Sequence, residues 1–197
     1  MSWKIVVPWC MVTVRVFLAP ALVLTAVRCA HPEPWLGGMI LAAFLSDIYD
    51  GVFARRWGTD TARLRLADSI ADTLFYLAVL TAIIDRHWLA LFARAYLLAG
   101  VLLLEVLRFI FDMVKFRRMA SYHSYAAKLW GIFLATAAIA LLCFNCCYWT
   151  LTLALLWGIL CDLEGLAMSV VLPVWKRDVK SLRSAILLRR QIIAKAE

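Results

Sequence analysis

The feature that most restricts the fold of this chain is a succession of apolar segments, each close to 20 residues long, separated by short polar breaks. A helix of about 20 residues spans the roughly 30 Å hydrocarbon core of a bilayer. Of the 197 residues, 65% are hydrophobic, which is more than a soluble domain of this size could bury. Segments of alternating polarity, typical of a membrane β-barrel, are not found. We therefore expect an all-α integral membrane protein.

Six of the apolar segments are long enough to span the membrane, which predicts a bundle of six transmembrane helices in one domain, residues 1–174. The predicted spans are residues 6–27, 35–54, 66–84, 88–111, 127–144 and 149–171. Polar breaks are expected at 31–34, 85–87 and 145–148. Residues 175–197 mix apolar and basic side chains, so we expect a basic amphipathic cytoplasmic helix that lies at the membrane surface. A substrate gate or a partner helix is the alternative role for this tail.

The formal net charge of +8 does not indicate a nucleic-acid partner, because the basic residues are not gathered on a soluble domain. They lie in the segments between apolar runs and in the tail, where anionic lipid headgroups are the nearer partners. Counted in alternate connections, nearly all Lys and Arg residues fall on the side of the two termini, and the opposite side has only Arg28 and Arg86. The positive-inside rule then predicts that both termini are cytoplasmic, and we expect a bacterial inner membrane.

Four aspartates lie at membrane depth in the second and third predicted spans, where ionisable residues are costly and usually functional. Asp47 and Asp50 are three residues apart, and Asp68 and Asp72 are four apart, so each pair shares one helix face. The connection between the pairs is short enough for the two helices to turn back and face each other. The sequence therefore predicts that four carboxylates converge at the cytoplasmic end of this helix pair.

Four carboxylates at close range need protons or a cation to balance their charge. Ligands that are all oxygen favour Mg²⁺ or Mn²⁺, with Ca²⁺ as a further possibility. Gly51 and Ala54 leave the helix surface open to a ligand, and Arg55 offers forked donors to a phosphate. Together these residues indicate a diphosphate site. Pairing of the acids with Arg across helices, or an ion pathway through a carrier, are the alternatives.

The spacing of these residues resembles the signature of the CDP-alcohol phosphotransferases, D-x2-D-G-x2-A-R-x8-G-x3-D-x3-D. The chain has Asp47-x2-Asp50-Gly51-x2-Ala54-Arg55-x8-Leu64-x3-Asp68-x3-Asp72, so every spacing agrees and one residue type differs. The six expected spans with cytoplasmic termini are similar to the family as well. The difference is Leu64, which stands where the family pattern has its second glycine.

The resemblance implies an enzyme that transfers a phosphatidyl group from a CDP-linked lipid donor, expected to be CDP-diacylglycerol, to a small alcohol and releases CMP. It further implies a divalent-metal requirement and a homodimer. Carried over by position, the metal ligands would be Asp47, Asp50, Asp68 and Asp72. Asp72 would also be the general base. The residues expected to contact the CDP moiety are Gly51, Ala54, Arg55 and Leu64.

Leu64 leaves two possibilities open, since Leu adds four side-chain carbons where Gly would permit close ligand approach. The side chain either narrows the cytidine pocket or is accommodated by repacking of the helices around it. Two further functions also remain as alternatives to the enzyme. One is a membrane cation carrier that uses the aspartates, and the other is a catalytically impaired relative.

A second polar set follows in the fourth and fifth predicted spans. Arg108 and Lys128 lie within apolar runs, so we expect their side chains to point into the bundle. They would bind the acceptor's phosphate or the lipid headgroup. The alternative is a buried ion pair with Glu105 or Asp112.

Overall fold

The computed structural model describes residues 3–118, 122, 124–176 and 178–194. Within these ranges the chain forms seven α-helices and no strand, which confirms the expected all-α class for that part of the chain. The helices are α1 (Trp3–Arg28), α2 (Glu33–Trp57), α3 (Ala62–Phe92), α4 (Ala95–Phe116), α5 (Tyr125–Phe144), α6 (Trp149–Val171) and α7 (Leu182–Ile193).

Five of these helices, α1, α2, α3, α5 and α6, are long and apolar enough to cross a bilayer. In the most apolar 18-residue stretch of each helix, only 22% to 44% of the residues are buried inside the protein. Apolar side chains that face outward over such lengths need lipid as their solvent. These helices indicate a multi-pass membrane protein.

The predicted count of six spans is not confirmed, because α4 differs in composition from the other long helices. It is 22 residues long, but every 18-residue stretch of it includes Glu105, Arg108 and Asp112. Charged side chains at membrane depth are costly unless they are paired inside the protein. By length and composition alone, the described residues contain five candidate spans.

The break predicted at residues 85–87 is present, but the next long helix does not begin at residue 88 as predicted. The backbone of His87 is non-helical (φ −136°, ψ 34°), so α3 consists of two helical segments that meet at this residue, and the second segment ends at Phe92. The chain leaves the helix only at Ala93 and Arg94, before α4 begins. The polar break at 85–87 is therefore a kink. The break predicted at 145–148 is confirmed, because α5 ends and α6 begins on either side of it.

Contacts divide the chain into two compact units. The first unit comprises Met1–Phe92 and Ala137–Tyr148, and the second comprises Ala93–Thr136 and Trp149–Glu197. The separate division of the chain into a membrane domain, 1–174, and a tail, 175–197, stays a prediction.

In the first unit α1 packs along both α2 and α3, whereas α2 and α3 touch each other little. The rings of Trp3 and Trp57 are 4.9 Å apart, so the start of α1 lies beside the end of α2. At the other end of α1, a guanidinium nitrogen of Arg86 in α3 donates to the carbonyl of Ala26 at 3.0 Å. These contacts make α1 antiparallel to α2 and parallel to α3.

In the second unit α6 is the helix against which α4, α5 and α7 are placed. The Arg94 guanidinium donates to the Thr152 hydroxyl at 2.7 Å, and the Lys115 ammonium donates to the carbonyl of Ser169 at 2.8 Å. These two contacts show that α4 and α6 run parallel. The Trp130 indole N–H donates to the carbonyl of Ala154 at 3.1 Å and fastens α5 to α6.

The C-terminal helix is shorter than predicted. α7 begins at Leu182 rather than at residue 175, and residues 177 and 195–197 lie outside the described residues. The Ser181 hydroxyl accepts from the backbone N–H of Ser184 at 3.3 Å, and a Glu164 carboxylate oxygen accepts from that of Leu182 at 3.2 Å. Two acceptors thus satisfy orphan N–H groups at the start of α7, which fixes where the helix begins. Its place at the membrane surface stays a prediction.

Two glycines allow a test of the packing between α5 and α6. A Cβ added at Gly158 would lie 3.0 Å from the indole of Trp130, whereas a Cβ at Gly38 would meet nothing within 4 Å. We expect Gly158→Ala to lower stability by about 1–3 kcal/mol through overpacking. The same change at Gly38 should raise stability by about 0.5–1 kcal/mol through helix propensity. Thermal unfolding in detergent measures both, and equal shifts of the same sign would contradict this packing.

Candidate active site

The four aspartates converge, as the sequence predicts, but they do so around an arginine on a third helix. Arg15 of α1 is only 1% exposed, and its guanidinium contacts all four carboxylates. Because α1 lies along both α2 and α3, the two acid-bearing helices need not face each other directly. The aspartates of α2 and those of α3 are brought together through α1.

Each terminal nitrogen of the guanidinium bridges the two acid-bearing helices. Nη1 donates to Asp47 of α2 at 3.1 Å and to Asp72 of α3. Nη2 donates to Asp50 of α2 and, at 2.5 Å, to Asp68 of α3. Asp50 is the most buried of the four acids, at 4% exposure. A single forked donor therefore connects three helices at one point.

The local sequence explains why the two pairs of acids reach this point. α2 ends with Gly58 in the left-handed region (φ 65°), and this glycine turns the chain back toward α3. The Thr61 hydroxyl then accepts from the backbone N–H of Leu64 at 3.2 Å and caps the start of α3. Asp68 and Asp72 follow within the next turns of α3, opposite the last turns of α2.

Three of the acids are close enough to bind one cation. One carboxylate oxygen each from Asp47, Asp50 and Asp68 lies within 4.8 Å of the other two. Opposite ligands of Mg²⁺, bound at about 2.1 Å, are about 4.2 Å apart, and those of Ca²⁺ at about 2.4 Å are about 4.8 Å apart. The separation and the all-oxygen chemistry fit a hard divalent ion. Asp72 is not part of this group of three, although it binds the same guanidinium.

The residues expected to contact the CDP moiety lie on α2 and at the start of α3. The Arg55 guanidinium lies over Gly51, where an added Cβ would be 3.2 Å from Nη1. With no side chain at Gly51, Arg55 folds back along the helix over this residue, and a Cβ there would make the guanidinium shift by a few tenths of an ångström. Arg55 is exposed, so its donors remain within reach of a ligand. Contact with a nucleotide remains a prediction for both residues.

Leu64 and Ala54 lie in the apolar core of the first unit. Leu64 is 5% exposed and packs with Val12 of α1, Ala54 of α2 and Ala71 of α3. Of the two possibilities for Leu64, this arrangement matches accommodation by the surrounding helices. A contact of Leu64 or Ala54 with cytidine is a prediction that these packing contacts do not address.

The second predicted set of basic residues lies in the second unit, and its two members differ. Arg108 is paired with Glu105 at 3.0 Å and with Asp162 at 2.9 Å, and Asp162 is fully buried. The ion pair with Glu105, given as the alternative to ligand binding, is therefore present, but Glu105 is exposed and the buried partner of Arg108 is Asp162. Lys128 does not point into a protein core as expected, because it is exposed near the start of α5, with its ammonium 5.9 Å from the ring centroid of Tyr125. A role in acceptor binding stays a prediction for both.

Arg15 is the site residue that the sequence motif does not include. A signal for it was present, since Arg15 is the only charged residue between Lys4 and Arg28 in the first apolar run. An ionisable residue at membrane depth requires a partner inside the protein. The aspartates in the next two helices are the available anions.

The comparisons with known proteins assign the chain to a family. A family model described as CDP-alcohol phosphatidyltransferase matches residues 5–174, which is most of the chain. The chain therefore belongs to this family, whose members are transferases of phosphorus-containing groups and are typically dependent on divalent metals. Neither the curated proteins nor the solved structures contain a match to the chain.

The packing of Leu64 generates a prediction about the motif position at which this chain differs. We expect Leu64→Gly to open a cavity between α1, α2 and α3 and to lower stability by about 3–5 kcal/mol. Leu66→Gly, on the exposed face of the same helix, is the matched control and should lose only the helix-propensity cost of about 1 kcal/mol. Thermal unfolding and CDP binding of both variants provide the measurements. Equal stability losses, with tighter CDP binding by Leu64→Gly, would show that Leu64 narrows a nucleotide pocket instead.

Proposed function

We propose that this protein transfers a phosphatidyl group from CDP-diacylglycerol to a small alcohol and releases CMP in a divalent-metal-dependent reaction. The observation that carries the proposal is the convergence of Asp47, Asp50, Asp68 and Asp72 on one point. Their spacing is that of the family pattern, and the family match supports a CDP-linked donor. The five candidate spans support a lipid as one of the two substrates.

Within this proposal Asp47, Asp50 and Asp68 hold the divalent ion, Mg²⁺ or Mn²⁺, with Asp72 as a further ligand. When bound, the ion offsets the negative charge that develops on the diphosphate as CMP departs. The acids supply only oxygen ligands, the donor type that these ions prefer. Mg²⁺ also keeps several waters and often takes substrate phosphates as ligands, so a site with three carboxylates leaves positions for a diphosphate.

Asp72 is the proposed general base. It lies one turn beyond Asp68 on α3, beside the candidate metal group but outside it. In the reaction Asp72 accepts the proton of the alcohol hydroxyl, and the alcohol oxygen forms a bond to the β-phosphorus of the donor. The bond between this phosphorus and the bridging oxygen breaks, and CMP leaves with the bridging oxygen and the electron pair of that bond. The phosphatidyl group is thereby moved to the acceptor alcohol.

Arg55 is proposed to bind the donor's diphosphate. Arg55 is one helical turn beyond Gly51, and its exposed guanidinium lies over this glycine, which directly follows Asp50. A planar fork of donors matches phosphate oxygens in pairs, and the bare surface at Gly51 lets the ligand approach the helix. Arg108 and Lys128 are candidates for acceptor or headgroup contact, and the homodimer implied by the family is likewise part of the proposal.

A transfer assay with matched Asp→Asn variants tests the proposal. Purified protein with radiolabelled CDP-diacylglycerol and a panel of phosphorylated and unphosphorylated alcohols should release CMP only with a divalent metal. Asp50→Asn should lose transfer together with metal binding. Asp72→Asn should reduce the transfer rate by about 10²–10⁴-fold while it still binds the donor. Asp85→Asn is the control, since this acid lies 13 residues beyond Asp72 on α3, about 20 Å along the helix.

The outcomes also separate the alternative functions. Near-normal transfer by Asp72→Asn would show that this residue is not the base. Metal binding without CMP release from any CDP donor would identify a catalytically impaired relative. Metal-ion flux into proteoliposomes, lost in Asp50→Asn and unaccompanied by CMP release, would identify a cation carrier.

A further inference from the structure

Arg15 lies at the centre of the carboxylates that the proposed reaction assigns to a divalent ion, and that reaction gives it no task. It is fully enclosed by protein, with 1% of its surface exposed. Its guanidinium donates a hydrogen bond to one carboxylate oxygen of each acid in the candidate metal group, Asp47, Asp50 and Asp68. A divalent ion and this side chain therefore require the same three carboxylates.

The charges of the cluster show what Arg15 does when no metal is bound. Four carboxylates from two helices would repel one another if all were ionised and nothing lay between them. The guanidinium supplies one positive charge at the point where they meet and binds at least one oxygen of each acid. Because each terminal nitrogen bridges α2 and α3, the contact also attaches both helices to α1.

The same charge acts against a second cation. A divalent ion bound by Asp47, Asp50 and Asp68 would lie within a few ångströms of the guanidinium. Like charges this close repel, the more so because the guanidinium itself is buried. Arginine stays protonated at any physiological pH, so it cannot relieve the repulsion by losing a proton. Each acid has a second oxygen that the ion can bind, but the repulsion between the ion and the guanidinium lowers the affinity for the ion.

We infer that Arg15 is a built-in counter-cation that competes with the divalent metal for the aspartate cluster. In the metal-free protein it holds α1, α2 and α3 together, and during metal binding it sets the affinity of the site. The inference rests on the proposed function only in that the cluster binds a metal. Arg15 is in this sense a positioning residue, because it acts through the aspartates.

Metal affinity and metal-free stability test the inference without any measurement of transfer. Mn²⁺ binding is titrated by the loss of the free-ion electron paramagnetic resonance signal for wild type, Arg15→Gln and Arg15→Lys. Arg15→Gln, which lacks the charge, should bind Mn²⁺ roughly tenfold more tightly or better. Arg15→Lys keeps the charge and should remain close to wild type. Without metal, Arg15→Gln should unfold at a lower temperature, and Mn²⁺ should raise that temperature more than it does for wild type.

The control is Arg86→Gln, which removes an arginine that binds the Ala26 carbonyl and Glu33 in the same unit. It should leave Mn²⁺ affinity unchanged. If Arg15→Gln alone does not fold, Asp72→Asn is added to it, so that one charge of each sign is removed while the three candidate ligands remain. This double variant should bind Mn²⁺ more tightly than Asp72→Asn alone.

Unchanged or weaker Mn²⁺ binding without the Arg15 charge would overturn the inference, as would the absence of Mn²⁺ binding in every variant. CMP release by wild type, measured in parallel, separates this result from the proposed function. Tighter binding by Arg15→Gln with no CMP release by wild type supports the role of Arg15 and contradicts the transferase. CMP release with unchanged affinity in Arg15→Gln contradicts the role of Arg15 alone.

Discussion

The contact of one buried guanidinium with four carboxylates is the interaction on which the first unit of this protein depends. Arg15 joins α1 to the acids of α2 and α3, two helices that otherwise touch each other little. Removal of one partner from a buried ion pair typically costs about 3–5 kcal/mol, because the remaining charge is left without compensation. The contacts that form the candidate site are therefore the same contacts that hold these three helices together. A change in the charge of the cluster is a change in how the helices are held together.

This geometry gives a physical reason for several of the residue types in the family pattern. Its aspartates supply the negative charge that a cation must balance, and its first glycine gives Arg55 room to lie along α2. At the position of the second glycine this chain has Leu64, packed among Val12, Ala54 and Ala71. A residue that departs from the pattern thus contributes to the core of the three helices that carry the acids.

The sequence predicts the site better than it predicts the limits of the helices. The spacing of the aspartates was sufficient to place each pair on one helix face, because residues three or four apart share a face whatever surrounds them. The convergence of the two pairs depends also on α1, which lies along both helices. Arg15 was not assigned to the site, since the position of α1 between α2 and α3 is a tertiary feature that no local pattern encodes. The helix break near His87 was predicted, but the short helical segment that follows it to Phe92, and the later start of α4 at Ala95, were not. The sixth span is not confirmed, because every 18-residue stretch of α4 contains the three charged residues Glu105, Arg108 and Asp112.

The proposed function requires that the aspartate cluster bind a divalent ion and that this ion bind the diphosphate of a CDP-linked donor. ³¹P electron–nuclear double resonance on Mn²⁺ bound to the purified protein, in the presence of CDP-diacylglycerol, measures this contact. We expect a ³¹P hyperfine coupling from phosphate oxygen bound to the ion, absent in Asp50→Asn. Mn²⁺ that binds without this coupling, or a coupling that survives in Asp50→Asn, would contradict the proposed function.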